Sequence, residues 1–74
     1  MGIELWDRVE VLILHGSGEV EVYGRGMVIE LTAPGYYRIS CDDDGGMYVS
    51  AYREELRKLS AIELIEEAIR RETD

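Results

Sequence analysis

The chain has no phenylalanine and only one proline, one histidine and one cysteine among its 74 residues. Cys41, standing alone, forms no internal disulfide, so packing has to hold the core and Cys41 is expected as a small buried residue near a turn. One His and one Cys cannot supply the set of nitrogen and sulfur ligands that a structural zinc site requires, and no metal or other cofactor is expected. Long apolar runs are missing too. The longest, Val11 to Leu14, falls far short of the ~20 residues of a membrane span. No basic segment followed by an apolar run opens the chain, which sets the expectation of a cytoplasmic protein with no membrane contact.

Positive charge is scarce. Eight Lys and Arg face sixteen Asp and Glu, for a net charge of −8, and the acidic excess is spread over both halves. Nucleic-acid backbones are bound by neutralising phosphates with Lys and Arg, and no segregated basic face is visible, so nucleic acid is disfavoured as a partner. Long-range steering favours a basic protein instead. The same charge also serves solubility.

What is present is alternation. Residues 8–14, RVEVLIL, place Val9, Val11 and Ile13 on one face and Arg8 and Glu10 on the other, as in a half-buried strand. Residues 19–23, with Val20 and Val22 facing in, and residues 27–32 read as two further strands. Residues 36–41, grouping Tyr37, Ile39 and Cys41, and residues 47–52 complete five. Gly16-Ser17-Gly18 and Gly24-Arg25-Gly26 read as two bends of the sheet. Ala33-Pro34-Gly35-Tyr36 fits a type II turn, and Asp42-Asp43-Asp44-Gly45-Gly46 a hairpin turn. Residues 53–59, REELRKL, leave two alternatives: a helical turn leading into a short closing strand, or the start of a long helix. Ser60-Ala61-Ile62-Glu63 fits a capping box opening a helix from about 61 to 72. Ala61, Leu64, Ile65, Ala68 and Ile69 form an apolar stripe along it.

Residues 24–59 resemble the small SH3-like barrels of the KOW and Tudor-like type. The resemblance is carried by Gly24-Arg25-Gly26, Tyr36-Tyr37-Arg38, Asp43-Asp44-Gly45-Gly46 and Arg53-Glu54-Glu55-Leu56, with Trp6-Asp7-Arg8-Val9 as entry to the first strand. It implies a mainly β fold: a five-stranded SH3-like antiparallel barrel over residues 1–59, with a C-terminal α-helix over 60–74 packed on it as part of one domain. It also implies recognition rather than catalysis. The helix stripe has a second reading, a homodimer through the helix or a place in a partner's groove; docking on the barrel is preferred.

Catalytic and ligand-gripping constellations are weak. Both Gly-x-Gly pairs open strands, whereas a phosphate loop needs a helix N-terminus behind it. An EF-hand starting at Asp42 would need Gly and Glu where Met47 and Arg53 stand. His15 and Ser17 are adjacent to a turn but lack a nucleophile elbow and a third partner, so no enzyme is expected. The aromatics are more informative. Tyr23, Tyr36 and Tyr48 fall on faces opposite their strands' core residues, where tyrosine suits half-exposed contact positions and can grip a cation. The expected function is therefore a small acidic, non-catalytic interaction module. It would bind a basic protein surface or peptide through Tyr23, Tyr36 and Tyr48, with Asp43 and Asp44 beside them and Arg25 as an exposed base. The alternative is an acidic nucleic-acid mimic, such as a phage would encode, that inhibits a nucleic-acid-binding enzyme. Direct RNA or DNA binding by a KOW-like domain ranks third.

Overall fold

The computed structural model describes residues 2–42 and 48–73. In chain order the elements are β1 (Arg8–Leu14), β2 (Val20–Ala33), β3 (Tyr36–Cys41), β4 (Tyr48–Tyr52), a 3-10 turn (Arg53–Glu55), β5 (Leu56–Lys58) and α1 (Ala61–Thr73). The strands form one antiparallel sheet in the order β4-β3-β2-β1-β5. The fold is mainly β with a C-terminal helix, as expected, but the sheet is not closed into a barrel. Among the described residues β4 pairs with β3 and β5 pairs with β1. With β5 only three residues long, these two edges share no ladder that would join them.

The count of five strands also hides a regrouping. Residues 19–23 and 27–32 belong to a single 14-residue strand, β2. Gly24 and Gly26 stay inside its ladder, opposite Val11 and Val9 of β1, so Gly24-Arg25-Gly26 is not a bend. Gly26 is needed for closeness rather than for curvature. A Cβ built there would overlap the Ser40 carbonyl oxygen of β3 and lie 2.6 Å from the Ile39 Cγ2. Gly24 has open space at the same atom. The Gly16-Ser17-Gly18 segment is a turn, with the His15 N–H donating to the Glu19 carbonyl at 2.9 Å and Gly18 at φ +92°. Gly35, at φ +74°, supplies the left-handed residue that a type II Pro-Gly turn requires.

A second consequence of β2 concerns which side chains face inward. Val11 pairs with Gly24, but Leu12 pairs with Val22, so Tyr23 is an extra residue on β2. A one-residue insertion moves the following side chains to the opposite face. Val20 and Val22, expected inside, are 59% and 53% exposed. They pair with Leu14 and Leu12 on the face opposite the core.

The core lies on the other face. Val9, Val11, Val28, Tyr37, Ile39, Cys41, Ala51 and Leu56 form one buried cluster, with Ile3 and Val49 packed against it. Cys41 is buried, as its isolation suggested. The ambiguous REELRKL segment resolves as the helical turn followed by a short strand, and Leu56 and Leu59 are both buried. The N-terminal entry is pinned by backbone bonds. Trp6 donates its N–H to the Val28 carbonyl at 2.7 Å, and Val28 donates to the Asp7 carbonyl at 2.9 Å. These bonds hold Trp6 at φ +72°, an uncommon conformation for a bulky residue.

The two glycines of β2 should respond differently to a methyl group. Gly26→Ala is expected to lower stability by about 1–3 kcal/mol, the usual cost of overpacking. Gly24→Ala should stay within about 1 kcal/mol of wild type. Urea denaturation of both variants checks the pair; equal effects would contradict the close approach at Ser40.

Candidate interaction surfaces

The outer face of the sheet, opposite the core, carries two separate groups of side chains. The first lies on β1, β2 and β5, where alternation sets Arg8 and Glu10 outward and register brings Arg25 and Arg57 opposite Glu10. Helix α1 sits over them and meets them with carboxylates. Arg8 makes a forked pair with Asp42, its Nη1 and Nη2 donating at 2.9 and 2.5 Å. The same guanidinium donates through Nε and Nη2 to Glu67 at 3.2 and 2.9 Å. Arg57 donates to Glu63 at 2.9 and 2.7 Å and to Glu10 at 3.1 and 3.0 Å. Arg25 bridges Glu10, Glu63 and Glu67 at 3.3–3.4 Å.

Three guanidiniums and four carboxylates thus clamp the helix to the sheet. The Glu10, Glu67 and Arg8 side chains are only 12–14% exposed, so their pairs are screened less than surface pairs. Glu63 has a second task. It accepts the Ser60 N–H at 2.9 Å while the Glu63 N–H donates to the Ser60 Oγ at 3.2 Å, the reciprocal capping box that starts the helix.

Because Glu63 and Glu67 are one turn apart and face the sheet, the apolar stripe points the other way. At about 100° per residue, Ala61, Ile62, Ile65, Ala68 and Ile69 fall on the half of the helix opposite the two acids, with Leu64 at its flank. Ile62 is 70% exposed and Ile65 59%. The sheet-facing side of the helix is its charged side.

The second group is aromatic and lies at the β3–β4 edge. Register places Tyr36 opposite Tyr52, and their rings lie 4.7 Å apart, centroid to centroid, at 50°. Tyr48 stands on the same face of β4, opposite Ser40, and is exposed, as Tyr52 is. Between them Ser50 faces Arg38, whose charge is balanced by Glu30 at 3.1 Å.

The residues singled out from the sequence therefore separate. Tyr36 and Tyr48 share a face, joined by Tyr52, which was not among the expected contact residues. Tyr23 is exposed but belongs to the β1–β2 hairpin. Arg25 lies in the clamp, not on an open surface. Asp43 and Asp44 lie outside the described residues. Sequence reasoning missed Arg8, Glu10, Arg57, Glu63 and Glu67 as a unit. The available signal was the pair Glu63 and Glu67, four apart on one helix face, with Arg8 and Glu10 alternating on the outer face of β1.

Other constellations do not assemble. His15 turns its Nε2 to Glu21 at 3.1 Å. Among the described residues no group of three His, Cys, Asp or Glu side chains is placed to hold a metal ion. A cleft of about 210 Å³ lies between the sheet and the helix C-terminus, lined by Arg8, Asp42, Glu67, Arg70 and Arg71; its floor is the clamp itself. Comparison with protein-family models, curated proteins and solved structures finds no match to this chain.

The clamp makes an acid-sensitive contact. Glu63 is pulled from 4.5 down to about 2, first by its hydrogen bonds from Arg57 and then by the Ser60 N–H. Arg8 holds Glu67 and Asp42 below their ordinary values. A carboxylate depressed on folding contributes stability that is complete above its unfolded value and is lost as pH falls through the folded one. Stability should therefore decline from about pH 4.5 toward pH 2, and Glu67→Gln should flatten that slope. Carboxyl NMR titration checks the assignment, and a Glu63 midpoint at its ordinary 4.5 would contradict the clamp.

Proposed function

We propose that the protein is a non-catalytic interaction module whose Tyr36, Tyr48 and Tyr52 face binds a basic segment of another protein. The observation that carries this reading is the Tyr36–Tyr52 ring pair with an exposed Tyr48 further along the same face of the edge strand. Tyrosines in such positions offer rigid contact area at low entropic cost and a negative π face to Arg or Lys. The field around them favours the same partner. Arg8, Arg25, Arg38, Arg57 and Lys58 are engaged with acids of the same chain, so the surplus of the −8 net charge falls on outward carboxylates and steers cations inward. The SH3-like reading draws support from the strand order, with β1 to β4 running as a meander and a 3-10 turn returning the chain to pair β5 with β1. Folds of this kind host many unrelated functions, so the side chains on the face, rather than the fold, decide the ligand.

A dye-labelled Arg- and Lys-rich peptide tests this by fluorescence anisotropy at low salt. A cation–π contact of about 0.5–2 kcal/mol predicts that Tyr48→Ala and Tyr52→Ala each weaken binding roughly 2- to 30-fold. Tyr23→Ala, on the β1–β2 hairpin, should leave it unchanged. Absence of binding to wild type, or unchanged affinity in both β4 variants, would refute the proposal.

A further inference from the structure

Two apolar surfaces of this chain lie on the same side of the sheet, and neither covers the other. One is the outer stripe of α1, where Ile62, Leu64, Ile65 and Ile69 are 42–70% exposed. The other is the outer face of the β1–β2 hairpin beyond the clamp. There Leu12 pairs with Val22 and Leu14 with Val20, and Leu14, Val20 and Val22 are 51–59% exposed. The helix cannot turn its own stripe onto its own hairpin, because Glu63 and Glu67 are tied to Arg8, Arg25 and Arg57 beneath it.

We infer that the occupant of both surfaces is a second copy of this chain, joined in a two-fold dimer in which each helix stripe lies on the other copy's hairpin. The layer geometry fits. Helix and hairpin patch both sit above the outer face of one sheet, and layers of secondary structure stack about 10 Å apart. A copy turned over about an axis parallel to the sheet brings its own helix down onto the exposed hairpin face and its own hairpin onto the exposed stripe. The two helices then fill one middle layer between two sheets. Each is held by ion pairs to its own sheet and by aliphatic contact to the other's. Such an interface is isologous, every contact occurring twice. The area is adequate as well. Seven half-exposed aliphatic residues at roughly 100 Å² each bring the buried area per copy close to the ~800 Å² of a standard interface.

The tyrosines lie on the same outer face but at the β3–β4 edge, and the residues substituted in the two tests differ, so failure of the dimer and failure of the peptide proposal can be told apart. Two copies of a chain carrying −8 repel each other through their fields, and salt screens that repulsion. The dimer is therefore expected to tighten as salt rises, opposite in sign to binding of a basic peptide.

Sedimentation equilibrium at about 10–100 micromolar, above the micromolar affinity of the weakest standard-size interfaces, tests the proposal with Ile65→Glu and Val22→Glu. The wild type is expected to be a dimer and each variant a monomer, with far-UV circular dichroism showing that both variants retain the wild-type fold. A monomeric wild type overturns the proposal. Persistence of the dimer in Ile65→Glu overturns it too, and persistence in Val22→Glu overturns the hairpin's half of it. Should either variant unfold, the milder Ile65→Ser and Val22→Thr are read against the same outcomes.

Discussion

The clamp centred on Arg8 decides how the C-terminal helix of this protein relates to the rest. Arg8 holds Asp42 on one side and Glu67 on the other with a single planar fork. Only arginine offers enough fixed donors to do this with two carboxylates at once. Arg25 and Arg57 repeat the arrangement at Glu10 and Glu63. Charges moved partly out of water are costly unless several partners meet each one, and here Arg8, Asp42, Glu10, Arg57, Glu63 and Glu67 each have a contact of 3.0 Å or less, while Arg25 meets three carboxylates at 3.3–3.4 Å. Helix docking is therefore electrostatic. Glu63 couples the docking to helix initiation, since one carboxylate both accepts the Ser60 N–H and receives the Arg57 fork.

A second constraint is the extra residue at Tyr23. It turns the outer half of the β1–β2 hairpin over, so that Val20 and Val22 leave the core side and join Leu12 and Leu14. Nothing in the period-two pattern of residues 19–23 reveals this, because alternation is preserved on both sides of the insertion. The face that alternation assigns depends on register with the neighbouring strand, and register is a tertiary property. Likewise Gly24 and Gly26 read as punctuation in isolation. Gly26 is instead the point where β2 passes so close to β3 that no side chain fits.

Local chemistry was more legible. The Pro-Gly turn, the capping box and the helix limits follow from short-range hydrogen bonding and backbone preference, and the structure places them where residue order put them. The buried face of β3, with Tyr37, Ile39 and Cys41, was likewise readable because that strand has neighbours on both sides and the extra residues in its ladder with β2, Ile29 and Thr32, lie on β2 and not on β3 itself. Closure of the barrel was not readable. It depends on whether two edges meet, and a three-residue β5 gives the sheet too little length to join them. The site followed the same division. Tyr36 and Tyr48 could be placed on one face from their strands alone, but Tyr52 joins them only through the β3–β4 register, and Arg25 was claimed by a helix more than thirty residues away in sequence.

Burial of the charged helix face and exposure of the apolar one reverse the usual arrangement of an amphipathic helix, and the reversal has an energetic meaning. The core cluster holds eight residues, and a chain of this size draws only about 3–5 kcal/mol from a single core. Leaving a half-exposed aliphatic residue in water forgoes about 1 kcal/mol of burial, repeated along the stripe and again on the hairpin. A fold with so little to spare would gain by turning the stripe inward, yet its arginines are placed to prevent that. The same placement pairs those arginines with acids of the chain and leaves the unpaired surplus of charge acidic. One cluster of ion pairs thus sets both properties of the outside: where it is apolar and what sign of charge it presents.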